Sequence, residues 1–434
     1  MVTVCLALAV LAMAVGGGSG AAAQPAPTAA TGIAAPPARA FRSTGFFHVA
    51  QVSGRMWLVD PSGRPFYSSG IDHVSASPDT DRVTERCPCC DTVAARYHDV
   101  DAWRDAQIKR FRLWGFNTIG AFSDTSPRLV RQMPYTVLLS MASGSDWFAP
   151  SFVAHADQVA SGLTATRDDP NLIGYFTDSE LHWGPDWRSG KPVLDDYLAL
   201  PAGSPGRKVA EAHRGDPSGF LLALSTRYFS VTSTALRTYD PNHLDLGVKA
   251  VAQLIEPELL KGARPYVDVW SVDDYSILPL WEDILVKGWA AYLPDEPGFA
   301  SIAARIGRPI LVGEYSFRAA DSGLPNSYPP LFPILATQAD RASRYRAYVS
   351  QLYRTPSVVG DHWFEMVDEP RHGRFDGEDS NFGILSTKDV PYKTLLRTMV
   401  WMHARAPGRH SVPSSACKSW ALGHPPDHLV CTAR

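Results

Sequence analysis

Two glutamates stand at the ends of apolar runs and could carry acid–base chemistry. Glu180 follows the run Leu172–Phe176 in the stretch NLIGYFTDSELHW, and Glu314 follows the run at residues 309–313. Short apolar runs of β-branched and aromatic residues, bounded by turn residues, are typical of buried strands. A carboxylate at the end of such a strand needs a partner or a chemical role, because burying an unpaired charge is costly. The pattern therefore indicates a pair of catalytic carboxyl groups.

Glycoside hydrolysis is a reaction that such a pair could carry out. A retaining mechanism needs two carboxyl groups about 5–5.5 Å apart, one as acid and base and the other as nucleophile. We expect Glu180 to protonate the leaving oxygen and then activate water, and Glu314 to attack the anomeric carbon. An inverting mechanism needs a separation of roughly 6.5–9.5 Å and stays open at this point. Both glutamates could instead be structural ion-pair partners of Arg318 or of other cations.

Strand and helix patterns alternate around these two glutamates. The strand candidates are residues 65–71, 117–122, 135–140, 172–176, 244–248, 267–272, 309–312 and 358–364. The helix candidates are residues 101–114, 152–166, 219–239, 301–306, 336–353 and 392–403. This alternation predicts an α/β fold, a (β/α)8 TIM barrel with long βα loops, of which 184–215 reads as a lid or wall. A hairpin at 46–59 precedes the barrel. Functional groups project from the carboxyl ends of barrel strands, where both glutamates are predicted to lie.

Four motifs carry a resemblance to a known family. GYFTDSELHWG and ILVGEYSF resemble the fourth- and seventh-strand motifs of agarase-like glycoside hydrolases, which belong to the retaining clan of (β/α)8 barrels. WLVDPSGRPFYSSGIDHV and DHWFEMVDEP are similar to that family's first and eighth strands, so the resemblance spans about residues 46–402. It implies that Glu180 is the acid/base and Glu314 the nucleophile. It also implies a β-linked glycan as substrate, with a galactose-containing glycan as one candidate.

The resemblance also implies positions for three substrate-binding residues. Tyr275 falls beside the nucleophile at the end of the sixth strand, and His362 with Trp363 matches a platform on the eighth. Two residues depart from the family pattern. Ser179 and Asp273 each occupy a position where the resemblance leads us to expect asparagine. These departures leave hydrolysis as the expected reaction and bear on which sugar is bound.

Three more candidates follow from their positions in the sequence. His182 and Trp183 come directly after the predicted acid, so we expect them to line the cleft. Asp72 ends the predicted first strand, where it could bind a sugar hydroxyl or hold a loop.

Composition limits the other function classes. The net charge is −3 and there is no long basic run, which argues against a nucleic-acid partner. The chain contains 12 Trp and 16 Tyr, and aromatic rings suit a cleft that binds an oligo- or polysaccharide. No phosphate-cradling glycine motif, H-E-x-x-H or G-x-S-x-G is present, so we predict no cofactor and no catalytic metal. A non-catalytic carbohydrate-binding barrel is the chief alternative. The sequence does not indicate an oligomeric state.

The amino terminus predicts export. Residues 2–15 are apolar and uncharged, and an A-x-A type site follows at 21–23, which resembles a signal peptide over residues 1–23. An Ala/Pro-rich linker at 24–40, a catalytic domain at 41–406 and a tail at 407–434 would follow. The mature chain would then be secreted or periplasmic, without membrane contact.

Export makes disulfides the first interpretation of the cysteines. Cys417 and Cys431 form the simplest pair and would hold the tail. Another bridge could form within or from the cluster of Cys87, Cys89 and Cys90. A zinc site at this cluster is the alternative, although a second nearby pair of ligands is lacking.

Overall fold

The structure, a computed structural model, describes residues 41–186, 188–275, 298–329 and 332–408 of the 434-residue chain. These residues belong to one compact unit. The predicted signal peptide at 1–23, the linker at 24–40 and the Cys417–Cys431 bridge lie outside the described residues, as does nearly all of the predicted tail. Among the described helices, none combines the length and the apolarity that a membrane span requires.

Eight parallel strands form the predicted barrel. In chain order, barrel strands 1 to 8 are Ser68–Ile71, Thr118–Ile119, Tyr135–Leu138, Leu172–Phe176 with Asp178–Ser179, Leu244–Asp245 with Val248–Val251, Trp270–Asp273, Ile310–Tyr315 and Val358–Trp363. Each strand pairs in parallel with the next along the chain. Strand 8 returns to strand 1, where His362 pairs with Gly70.

Barrel strands 4 and 5 are each broken into two short pieces, and together they close the barrel. Their first pieces pair through Gly174 and Leu244, and their second pieces pair through Asp178 and Val248. The break matters for function, because the second piece of strand 4 leads directly to Glu180. The prediction of a (β/α)8 barrel is confirmed.

The predicted amino-terminal hairpin is present and gains a third strand. His48–Val52 pairs antiparallel with Arg55–Val59, which pairs in turn with Pro65–Phe66. The loop residues Ser53 and Gly54 have φ of 50° and 78°, as a two-residue hairpin turn requires. The hairpin covers the amino-terminal end of the barrel. Its buried residues join an apolar interior cluster with barrel residues: Phe47, Leu58, Ala121, Ile173, Phe176, Leu244, Leu246, Val269, Leu311 and Val359.

The helices surround the barrel and bury aromatic and aliphatic side chains against it. The described α-helices are Pro88–Arg96, Val100–Trp114, Pro127–Val130, Pro150–Ser161, Val193–Leu198, Pro205–Ala212, Pro217–Tyr239, Pro257–Ala263, Phe299–Ile306, Gln338–Arg354 and Lys393–His403. Short strands at Arg318–Ala319 and Ile334–Leu335, and 3-10 turns at Gly162–Ala165, Ala252–Leu254 and Ala320–Ser322, complete the described elements.

Helix boundaries follow local signals in the sequence. Asp99 caps the second helix by accepting from the amide of Ala102, and Gly115 ends that helix at φ 81°. Thr337 and Asp340 form a capping box at the start of Gln338–Arg354. The predicted loop at 184–215 contains the two short helices Val193–Leu198 and Pro205–Ala212, so this part of the prediction is corrected.

The cysteine cluster forms a disulfide between Cys87 and Cys90 at the start of the first helix. Cys89 is a buried free thiol whose pKa is raised to about 12, first by burial and then by nearby carboxylates. Two of the three sulfurs are thus bonded to each other, which argues against the zinc alternative at this position.

Candidate functional site

Glu180 lies at the carboxyl end of barrel strand 4, where the chain turns sharply. Its φ is +47°, a conformation that non-glycine residues seldom adopt. Two bonds hold its backbone: its amide donates to the carbonyl of Lys249 at 2.8 Å, and the guanidinium of Arg188 donates to its carbonyl at 2.7 Å. The side chain is partly exposed, so it can reach a ligand in the cleft.

Glu314 lies near the end of barrel strand 7 and is largely buried. Its two carboxylate oxygens have different partners. The ammonium of Lys249 donates to Oε1 at 2.5 Å, and the hydroxyl of Tyr275 donates to Oε2 at 2.6 Å. Of the structural alternative, the pairing with Arg318 is wrong for the described residues, since that guanidinium bonds Ser380 and backbone carbonyls, whereas a pairing of Glu314 with another cation, Lys249, is present.

The two glutamates converge as predicted, and a third carboxyl group lies between the same strands. One oxygen from each of Glu180, Asp273 and Glu314 lies within 4.8 Å of the others. Burial, and then the charge of Glu314, raise the pKa of Glu180 to about 8, although the ammonium of Lys249 opposes this. At neutral pH Glu180 therefore carries a proton that it could donate, while Glu314 is held by a cation and a hydroxyl.

Lys249 is the central residue that the sequence prediction missed. It lies on barrel strand 5 and its side chain is fully buried. Its ammonium is 2.5 Å from Glu314, 3.3 Å from Asp72 and 3.9 Å from Asp273. Burial by itself lowers the pKa of this lysine, but the three carboxylates outweigh burial and raise it above its ordinary value. A lysine within the apolar run LGVKAV was the sequence signal for it.

Glycines make room for these polar side chains inside the barrel. A Cβ added at Gly120 would lie 1.7 Å from an oxygen of Asp72. A Cβ at Gly70 would lie 2.2 Å from the ring of His362, and one at Gly313 would lie 3.1 Å from Cε of Lys249. The polar layer is possible only because neighbouring strands carry no side chain at these three points.

Tyr275 lies beside the candidate nucleophile, where it was predicted. Its hydroxyl bonds Glu314, and its ring stacks on Phe332 with centroids 4.7 Å apart. Burial, and then the charge of Glu314, raise the pKa of Tyr275 well above its ordinary value, so the phenol stays a hydrogen-bond donor. Its ring is partly exposed.

Asp72 and His362 lie inside the barrel, below the cleft. Asp72 has no exposed surface, and its carboxylate faces Lys249 on one side and Nδ1 of His362 at 3.6 Å on the other. His362 is equally buried, with Nε2 2.8 Å from the hydroxyl of Ser68. Direct contact of either residue with a sugar, as predicted, does not fit this placement, because no surface of either is accessible.

The two tryptophans predicted to bind substrate are packed in the core. Trp363 is 1% exposed and points outward from barrel strand 8, since successive side chains alternate between the faces of a strand. Its ring contacts Tyr315 and Tyr345, and its indole N–H donates to a backbone carbonyl. Trp183 is 6% exposed and stacks on Phe229. The structure thus corrects the prediction that these rings line the cleft.

His182 remains near the site with its ring partly exposed. Nδ1 lies 2.8 Å from Asp186 and forms a hydrogen bond that holds the ring, whereas Nε2 lies 3.1 Å from Asp196 without the geometry of a hydrogen bond. Whether it binds a substrate stays a prediction.

A second polar cluster flanks the first at the ends of barrel strands 1 and 8. His73 contacts the buried carboxylate of Glu365, and Asp79 lies 3.8 Å from the same ring nitrogen. Burial, and then the charge of Glu365, raise the pKa of Asp79 to about 6. In the described part of the chain, this cluster and the three-carboxyl cluster have the spacing to hold a metal ion. In the three-carboxyl cluster the ammonium of Lys249 already supplies the positive charge.

Sequence comparison confirms the resemblance to agarase-like glycoside hydrolases. β-Agarase B from Vibrio sp. (strain JT0107) is 27% identical over 82% of this chain and 47% of its own length. β-Agarase A from the same strain is 25% identical over 78% of this chain and 43% of its own length. The chain spans about half the length of these curated relatives. No protein-family model matches it.

Solved structures share the fold. An agarase crystal structure superposes with a TM-score of 0.70 at 24% identity, covering 85% of this chain and 64% of that chain. An exo-β-agarase gives 0.69 at 20% identity, covering 85% and 65%. A β-D-glucuronidase from Dictyoglomus thermophilum gives 0.52 at 14% identity, covering 84% and 55%. At these identities the likeness shows the fold alone.

Proposed function

We propose that this chain is a retaining glycoside hydrolase that cleaves a β-linked glycan by double displacement. Glu180 is the acid/base and Glu314 the nucleophile. The observation that carries the proposal is the short separation of these carboxyl groups, whose oxygens lie within 4.8 Å of each other. A retaining pair stands about 5–5.5 Å apart, whereas an inverting pair leaves room for a water at roughly 6.5–9.5 Å. The spacing therefore favours retention.

The first step uses the different states of the two groups. Protonated Glu180 donates its proton to the glycosidic oxygen while the carboxylate of Glu314 attacks the anomeric carbon. The bond between that carbon and the leaving oxygen breaks, and an ester links the sugar to Glu314. The raised pKa of Glu180 supplies the proton at neutral pH, because burial and the charge of Glu314 disfavour its ionised form.

The second step reverses the roles. Glu180, now ionised, takes a proton from a water molecule, and the water oxygen attacks the anomeric carbon. The ester bond breaks and Glu314 leaves as a carboxylate, which restores the starting state. Lys249 and Tyr275 act on both steps: each bonds one oxygen of Glu314, so they orient the attacking carboxylate and stabilise it when it leaves.

The proposed substrate is a galactose-containing glycan of the agar type. This rests on the similarity to two β-agarases over four fifths of the chain. The catalytic domain is proposed to span residues 41–406, behind a signal peptide at 1–23 that directs the protein out of the cytoplasm.

The test combines turnover with stereochemistry. The secreted form is offered agarose, agar oligosaccharides and aryl β-glycosides, and the anomer released first is followed by proton NMR. We expect the β-anomer first, and no product from Glu180→Gln or Glu314→Gln. Glu211→Gln, which changes an exposed glutamate on the helix Pro205–Ala212, is the matched control and should keep full activity.

Three outcomes would count against the proposal. Release of the inverted anomer would contradict the double displacement. Turnover that survives both substitutions would mean that the catalytic pair is wrong. Oligosaccharide binding by the wild-type protein with no product from any substrate would favour the non-catalytic carbohydrate-binding barrel.

A further inference from the structure

Asp273 is a buried carboxyl group without a hydrogen-bond partner. It ends barrel strand 6, has no exposed surface, and neither of its side-chain oxygens is bonded within the described residues. Such a group is costly to bury in its ionised form. Among the described residues its ion-pair partner is Lys249, at 3.9 Å from Oδ1, but that ammonium is closer to Glu314 and to Asp72. Of the three carboxyl groups that pair with this lysine, Asp273 is the farthest from it.

The charge balance around Lys249 also indicates that some of the nearby carboxyl groups are protonated. Four carboxyl groups face one another across the barrel from different strands: Asp72 on the strand 1 side, Glu180 after strand 4, Asp273 on strand 6 and Glu314 on strand 7. One ammonium, from strand 5, lies among them. If all four were ionised, the buried group would carry three uncompensated negative charges. Protons must therefore reside on some of the four.

We propose that Asp273 is a neutral carboxylic acid below the glutamate pair, and that it positions the pair by leaving the charge of Lys249 to Glu314. This inference rests on the proposed function of that pair. An ionised Asp273 would compete for the ammonium and place a further negative charge within 4.8 Å of an oxygen of Glu180. A neutral Asp273 does neither.

Burial, and then the charge of Glu314, raise the pKa of Asp273 well above its ordinary value, while Lys249 opposes this. Gly313 lies beside this carboxyl group: a Cβ there would be 3.2 Å from Oδ1, so a larger residue at this position would crowd it. Asp273 is therefore a positioning residue, because one of its oxygens lies within 4.8 Å of an oxygen of each glutamate and its side chain has no exposed surface.

The competing view is that Asp273 is ionised and forms part of the ion pair with Lys249. Asp273→Asn separates the two, because asparagine keeps the shape and is always neutral. If Asp273 is neutral already, the alkaline pKa of the kcat/KM profile stays where it is. If it is ionised, the substitution removes a charge near Glu180 and lowers that pKa by about 1 or more, from Coulomb's law at an effective dielectric constant of ~20.

Asp273→Leu is a second neutral replacement, without a polar group. Because the proposal requires only that this position carries no charge, we expect the alkaline pKa of the kcat/KM profile to stay where it is in this variant as well. A fall of that pKa by about 1 or more in both variants would overturn the proposal, provided that their unfolding midpoints match the wild type.

Infrared spectroscopy decides the protonation state without any substrate. The difference spectrum between wild type and Asp273→Asn should contain the C=O band of one protonated carboxylic acid at neutral pH. Asp72→Asn removes a carboxyl group that does pair with Lys249, so its difference spectrum should lack that band. Absence of the band for Asp273 overturns the inference even if hydrolysis is found. An inactive wild type with the band present refutes the proposed function alone. If Asp273→Asn does not fold, the difference spectrum between wild type and Asp273→Leu replaces it, because that variant also removes the carboxyl group.

Discussion

Replacing the predicted acid with glutamine should change how stability depends on pH. Glu180→Gln keeps the size of the side chain and removes its ionisation. In the folded protein the pKa of Glu180 is raised from 4.5 to about 8, chiefly by burial and then by the charge of Glu314. Between these two values the folded protein keeps a proton that the unfolded chain has lost. The stabilisation is therefore complete below about pH 4.5 and is lost as pH rises towards 8.

The size of this change in stability follows from the interval between the two pKa values of Glu180. Each pH unit between the two pKa values changes the free energy of unfolding by about 1.4 kcal/mol. The interval from 4.5 to about 8 thus corresponds to roughly 3–5 kcal/mol, after allowance for the partial exposure of the carboxyl group. Glu180→Gln lacks this dependence. We expect the variant and the wild type to be equally stable near pH 4.5, and the variant to be more stable by that amount near pH 8.

Urea unfolding of both proteins across about pH 5–9 measures the difference. Glu314→Gln is an informative companion, because removing the charge of Glu314 should lower the pKa of Glu180 and end the slope at a lower pH. The alkaline limb of the wild-type kcat/KM profile should fall near the same pH as the end of the stability slope. Parallel stability curves for wild type and Glu180→Gln across this range would refute the assignment of Glu180 as a group protonated at neutral pH.

Three further substitutions test the polar interior and the corrected core residues. Lys249→Met leaves buried carboxylates without their cation, so urea unfolding should show a loss of about 3–5 kcal/mol, and an unchanged midpoint would contradict the buried ion pairs. Gly120→Ala should prevent proper folding, because its Cβ would lie 1.7 Å from an oxygen of Asp72. A Cβ at Gly162 would have no atom of the described residues within 4 Å, so Gly162→Ala should give the circular dichroism spectrum of the folded protein. Trp363→Phe should lower the thermal midpoint and leave KM unchanged, and a large rise in KM with an unchanged midpoint would restore it to the cleft.

The barrel could be predicted because its strands and helices have strong periodic patterns. Apolar runs such as Leu172–Phe176 predict buried strands whatever surrounds them. The breaks within strands 4 and 5 could not be predicted, since they depend on how two neighbouring strands pair. Gly174 illustrates this: a Cβ there would lie 2.2 Å from the carbonyl oxygen of Leu244. The short helix Pro205–Ala212 was missed although its first-position proline and its Arg, Lys, Ala and Glu residues favour a helix, because the glycines and prolines around it made the whole segment look like one loop.

The candidate site was predicted in part, and the errors share one cause. Glu180 and Glu314 were predicted to meet because each carboxyl group ends an apolar run, and the structure brings one oxygen of each within 4.8 Å of the other. His362 and Trp363 were placed on one surface although they are adjacent in a strand, where successive side chains point to opposite faces. Trp183 follows the acid in sequence, but the helix Pro217–Tyr239 supplies the rings that bury it. Proximity to a motif in the sequence did not determine which residues reach the cleft.

The protonation states of the site depend on barrel closure more than on any motif. Glu180 and Glu314 are the same residue type at equivalent strand ends, yet they differ because Lys249 and Tyr275 bond one of them and not the other. Both partners come from other strands, and neither adjoins a glutamate in sequence. The same two motifs on a barrel without Lys249 would leave Glu314 without a cation. In the proposed mechanism, one lysine on the fifth strand is therefore what distinguishes the proposed acid from the proposed nucleophile.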